Sequence, residues 1–155
     1  MSTNRVHTDI ITVALDGVDT SAYASGDLID DKITITDADN TKSVSGVIHS
    51  VVVTDLAKQS ADLDLVIFDS DPSSTTFTDN GAFDVDDTDL PKIVGVAQIT
   101  THVTFNDNSV SIAHGTNIPF RVPSGVSLYG ALVSRGTPTY VSATDLQVRI
   151  GILED

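Results

Sequence analysis

The sequence predicts an all-β fold, a single jelly-roll-like β-sandwich of about eight strands with at most one short helical turn. Three observations carry this. Val (19), Ile (13) and Thr (19) make 51 of the 155 residues, and such β-branched side chains are stiff at χ1, which suits pleated sheet and mildly disfavours helix. Of the 22 acids, 21 are Asp and only Glu154 is Glu. Glu forms helix well whereas Asp prefers turns and caps, so the charge belongs in turns and at strand ends. Finally, short apolar segments recur between clusters of Gly, Asp, Asn and Pro, the punctuation of a sandwich or jelly roll.

In chain order, the first candidate strands run from Val6 to Leu15, from Leu28 to Thr36 and from Val44 to Thr54. In the next, Leu63, Leu65 and Ile67 alternate with Asp62 and Asp64, while Val66 and Phe68 make the second face apolar as well. A strand covered on both sides reads this way, so this one is expected to be central. Asp86-Asp87-Thr88-Asp89-Leu90 resembles a helix start, with acid at the cap and in the first turn, and Pro91 limits it to about one turn. Ile93 to Phe105, Val110 to Ala113 and Val126 to Arg135 follow. The clearest strand comes last: Leu146, Val148, Ile150 and Ile152 alternate with Asp145, Gln147, Arg149 and Gly151, the period of two that marks a half-buried strand.

The separators carry turn chemistry. Asp37-Ala38-Asp39-Asn40, Asp71-Pro72-Ser73-Ser74, Asp79-Asn80-Gly81, Asn106-Asp107-Asn108 and Pro123-Ser124-Gly125 supply left-handed tolerance or a preset φ. No repeat, linker or shift in composition divides the chain, so one domain is expected over residues 1–155. That size buries enough surface to fold without a disulfide or metal.

Composition excludes several function classes. With no Cys, disulfides, thiolate zinc sites and cysteine nucleophiles drop out together. No apolar run approaches the roughly 20 residues of a membrane helix, and Met1 to Asp9 shows no secretory h-region. The expectation is a protein made in a cytoplasm, with no membrane partner. A net charge of −14 without a Lys or Arg cluster repels phosphate backbones, so no nucleic acid is expected either.

Chemistry-bearing patterns are few. Seven Asp fall between Asp69 and Asp89, and carboxylates with loop carbonyls are what calcium prefers. Asp69, Asp71, Asp79, Asp84 and Asp86 are therefore the candidate calcium ligands. An EF-hand pattern fails for want of its Gly and terminal Glu, and a chain with this much Asp has Asp-dense loops on composition alone. His7, His49, His102 and His114 are too far apart for a helical metal pair. Neither a Gly-x-Ser-x-Gly elbow nor a Ser-x-x-Lys pair occurs. Without Trp and with three Tyr, the aromatic platform of a sugar-binding site is thin. No catalytic residue is expected, and a hydrolase is the least favoured class.

Several phrases are similar to a family of small proteins found among virion genes of tailed bacteriophages. They are Ile118-Pro119-Phe120, the stretch Leu128-Tyr129-Gly130-Ala131-Leu132-Val133 continuing to Tyr140, and Asp145-Leu146 with Val148-Arg149-Ile150. Tyr23 to Leu28, Leu65 to Asp69 with Pro72-Ser73, and Asp79 to Phe83 before Lys92-Ile93-Val94-Gly95 fit the same family in the same order. The resemblance implies a virion-associated β-sandwich, a capsid decoration or cement protein whose partner is the phage major capsid protein, without an active-site motif. It implies a homo-oligomer, with a trimer favoured. The alternative is a calcium- or glycan-binding module that is receptor-binding or tail-associated.

Tyr129, Arg135 and Tyr140 are the candidate docking residues, because aromatics and Arg concentrate in interface cores. The competing reading puts Tyr129 in the core and pairs Arg135 with an Asp. Copies carrying −14 each repel unless salt, divalent ions or basic surface screens them, so assembly is expected to weaken at low ionic strength.

Overall fold

Alternating apolar residues give nine antiparallel strands in a computed structural model that describes residues 7–35, 44–122 and 127–154. They are β1 (His7–Ala14), β2 (Leu28–Ile35), β3 (Val44–Asp55), β4 (Leu63–Phe68), β5 (Ile93–Ile99), β6 (Thr101–Thr104), β7 (Ser109–Val122), β8 (Leu128–Ser134) and β9 (Leu146–Glu154). One sheet has the order β1-β9-β3-β7-β6 and the other β2-β8-β4-β5. β1 pairs with β9, β2 with β8, β3 with β7 and β4 with β5. Apart from the short edge strand β6, this is one long hairpin of strands rolled up, the jelly-roll arrangement.

The two sheets face each other across one core. Ile11 and Val13 from β1, Ile48, Val51 and Val53 from β3, and Val148, Ile150 and Ile152 from β9 meet Leu63, Leu65, Ile67, Ile99 and Leu132 of the four-stranded sheet. The sheets approach closely at Gly95, where an added Cβ would lie 2.8 Å from Ile118.

A second layer covers the outside of the four-stranded sheet. Leu28, Val66, Phe68, Ala131 and Val133 point away from the main core, and Phe77, Phe83, Val85 and Ile93 close over them. The segment between β4 and β5 thus forms a flap. It is also hydrogen-bonded to the β2 edge: Leu28 N–H donates to the Gly81 carbonyl, Asn80 N–H to Leu28 and Phe83 N–H to Gly26. Central placement of β4, between β8 and β5 with both faces covered, is as its two apolar faces predicted.

Several boundaries differ from the sequence reading. Nine strands replace about eight, because Ile93 to Phe105 divides at Thr100 into β5 and β6, where the chain crosses from one sheet to the other. β7 runs far beyond Ala113. Gly115 and Asn117 adopt φ of 64° and 48° in a register shift opposite His49, so these apparent breakers form a bulge instead of a stop. Pro119 is tolerated because β6 pairs only with residues 109–112, leaving β7 an edge strand at the proline.

The helical turn is also displaced. It is a 3-10 turn at Leu90–Lys92 with Pro91 inside its first positions, where a missing N–H costs nothing. Asn80, with φ of 55°, supplies the expected left-handed residue of its turn. The turns at 37–40 and 123–125, and the expected strand ends Val6, Thr36 and Val126, lie outside the described residues.

Candidate functional site

The aspartates act chiefly as acceptors for loop amides. Asp55, 3 % exposed, takes N–H groups from Ala57, Gln59 and Ser60 at 2.9, 2.7 and 3.2 Å. Asp145 takes those of Val141 and Ser142. Asp89 is buried and holds the Ser74 amide, the Thr75 hydroxyl and the Lys92 ammonium at 2.9, 2.8 and 2.7 Å. Short side chains that reach nearby backbone in this way explain why Asp outnumbers Glu here.

The five calcium candidates lie in different local settings. Asp71 pairs with Lys32, and Asp69 accepts from the Ser70 hydroxyl. Asp79 receives the Tyr23 hydroxyl and the Asp30 amide, both at 2.7 Å. Burial, followed by that bond, pushes the Tyr23 hydroxyl well above its ordinary pKa. Asp84 and Asp86 come together beside an open cleft of about 280 Å³ with Thr75, Thr76 and Thr78. Among the described residues, no group of three or more His, Asp or Glu is placed to hold a metal ion.

Asp89 gives the flap an acid limit. Lys92 first, then Thr75 and Ser74, hold its carboxyl below the ordinary 3.8 in spite of burial, which pushes the other way. Asp86 is lowered by Thr88 and Asp19 by Asn80. A carboxyl with a depressed folded pKa stabilises the fold above its unfolded value, and that contribution is lost as pH falls through the folded value. The flap is therefore expected to loosen in acid, below 3.8, as followed by amide exchange over residues 69–92. Asp89→Asn should flatten this acid dependence. A flap that loosened between pH 5 and 8 instead would contradict the assignment.

One alignment has the order of a nucleophilic relay. The Ser111 hydroxyl lies 2.7 Å from Nδ1 of His102, whose Nε2 lies 2.8 Å from Asp62. Ser111 is 2 % exposed and faces between the sheets, so no substrate carbonyl can reach its Oγ. The bonds instead tie β6 to the start of β4. Sequence reasoning missed this contact because 40 residues separate His102 from Asp62. Asp62 and His102 also line an open cleft of about 310 Å³ with Gln59, Ser60, Arg135 and Pro138.

The three docking candidates are not brought together. Tyr140 is buried edge-on against Tyr23, with ring centroids 5.9 Å apart, and is corrected from surface to core. Tyr129 is half-buried under the flap, with the Lys32 ammonium 5.5 Å from its ring centroid. Arg135 donates from Nε to Asp64 at 2.7 Å, as the competing reading held.

A different surface stands out. On the outer face of the five-stranded sheet the register aligns Ala14, Gln147, Thr54, Val110 and Val103 in one row, and Thr12, Arg149, Val52, Ile112 and Thr101 in the next. Ile10, Gly151, Ser50 and His114 follow, then Thr8, Leu153, Val47 and Pro119, with Ser45 beside Arg121 at the end. Among the described residues this face carries no acid, in a chain with 22. Ile10 and Val103 are 55 % and 43 % exposed. The signal was present in the polar positions of β9, but only the strand order shows that its neighbours continue it.

No family model and no curated protein matches this chain. Among the solved structures that match it, two overlap it loosely. A structure titled "KBV activated particle at acidic pH" is 6 % identical over 97 % of this chain and 68 % of that one, with a TM-score of 0.32. The structure of infectious bursal disease virus, Gx strain, is 16 % identical over 97 % of this chain and 36 % of that one, with a TM-score of 0.30. Overlap at this level carries no argument about what the chain does.

Proposed function

We propose that this chain is a non-enzymatic structural protein of a virion, a capsid decoration or cement protein that binds the major capsid protein of a tailed phage and stabilises its head. The observation that carries the reading is the jelly-roll strand order, a scaffold used by capsid and lectin domains. Fold alone does not choose between those roles. The phage-virion phrasing of residues 118–150 favours the capsid side, and the Asp-pinned loops supply the rigidity that a shell-stabilising part requires. The protein is assembled from the host cytoplasm into the virion as a homo-oligomer, without nucleic acid or membrane as a partner.

The test is the composition of purified particles. Mass spectrometry should find the chain in fixed ratio to the major capsid protein, and particles made without it should lose their heads at lower temperature. A chain absent from washed virions and recovered wholly in the soluble lysate would reject the role. A glycan-binding module is the second reading, favoured by the polar cleft at Gln59, Asp62, His102 and Arg135. Retention on immobilised host-surface glycans, combined with absence from heads, would select it.

A further inference from the structure

We infer that copies of this chain stack head to tail, the acid-free face of the five-stranded sheet of one copy seating on the acidic flap of the next. The first support is the fate of the cations. Lys32, Lys92 and Arg135 are paired with Asp71, Asp89 and Asp64, and Lys58 donates to the Asn106 carbonyl. Among the described residues the side chains of Arg121 and Arg149 make no hydrogen bond or ion pair, although acids outnumber bases 22 to 8. Both are exposed and both lie on the acid-free face.

The opposite side of the sandwich is their complement. The flap that roofs the four-stranded sheet exposes Asp84 and Asp87, neither of which has a partner among the described residues. On the same side of the sandwich Leu90 and Val96 are 54 % and 44 % exposed. One side thus offers unpaired arginines with Ile10 and Val103, and the other unpaired carboxylates with Leu90 and Val96. Copies of net charge −14 repel one another overall, which opposes association unless opposite charges are brought together. Two acid-free faces placed together would bring arginines from both sides and leave the flap carboxylates unanswered, so the head-to-tail contact is the favoured one.

Size and symmetry set what the contact builds. Five strands about 4.8 Å apart and four rows about 6.8 Å apart make a face roughly 20 Å square, or about 400 Å² in projection. Stable interfaces bury about 800 Å² per partner, so a single contact is weak and assembly depends on concentration. The two surfaces lie on opposite sides of the molecule, and a heterologous contact of that kind extends as a column where a ring would need them inclined.

Sedimentation of the full chain at graded concentration in about 0.15 M salt, where the Debye length is about 8 Å, tests this. The weight-average mass should climb with concentration without levelling at a dimer. Arg149→Asp should raise the concentration for half-association about tenfold, as should the double variant Asp84→Arg with Asp87→Arg. Mixing the two variants should restore association, since each copy then meets a complementary face on both sides. All three positions are exposed, and circular dichroism checks that the fold is kept. A wild-type chain that stays monomeric throughout, or variants that fail to rescue each other, would overturn the stack. The virion role would be untouched by that result, because particle composition decides it.

Discussion

Replacing Phe68 with Ala is expected to lower the unfolding free energy by about 3–5 kcal/mol and to free the flap from the sheet. Phe68 has no exposed surface and points away from the main core, into the cluster of Leu28, Val66, Ala131 and Val133. The flap supplies Phe77, Phe83 and Val85 to the same cluster, and the rings of Phe77 and Phe83 lie 5.4 Å apart. Losing the Phe68 ring leaves a cavity under them that the rigid sheet cannot close. Urea titration measures the global loss, and amide exchange over residues 69–92 measures release of the flap. Leu65→Ala, on the inner face of the same strand, is the control. It should cost global stability without selective exposure of the flap, and equal exchange in the two variants would show that the flap is not held from Phe68.

Asp55→Ala should cost about 2–4 kcal/mol, because three amides of the turn lose a buried charged acceptor. The turn also holds Lys58 and Ser60 at φ of 54° and 50°, where non-glycine residues are uncommon. Without the carboxylate the turn keeps only the bonds of Leu56 to the Asp145 carbonyl, of Lys58 to Asn106 and of Gln59 to Ala57 and Thr139, so residues 56–60 should rearrange. Asp55→Asn keeps one acceptor oxygen and should recover part of the loss. Chemical denaturation of both variants, with the amide shifts of Ala57, Gln59 and Ser60, separates the effects. An alanine variant as stable as the parent would mean that solvent serves those amides equally well.

Most strands were legible because β-branched alternation is a local signal. Leu146, Val148, Ile150 and Ile152 all point into the core as the period of two required. Pairing was not legible, since nothing near β1 indicates that β9 lies beside it. β7 was cut short because Gly115, Asn117 and Pro119 look like a stop in isolation, and only the partner strand turns them into a bulge. The Asp-dense stretch from 69 to 89 suggests calcium by acid density, and density reads the same whether carboxylates face a cation or their own backbone. Asp89 shows how the second case arises, with its contacts to Ser74 and Thr75 lying 15 and 14 residues away. The acid-free face stayed hidden because it is a property of five strands together.

The order of the five-stranded sheet also constrains how the protein is made. β9 is the last strand in the chain yet lies between β1 and β3. While a ribosome is still translating the segment after β8, β1 has no partner and β3 presents one open side. Unfilled strand edges are templates for pairing with other chains, and a topology that waits for such distant partners folds slowly. A nascent chain stalled after Ser134 would therefore be the form most prone to clump on a crowded polysome, and only arrival of the final strand closes the gap.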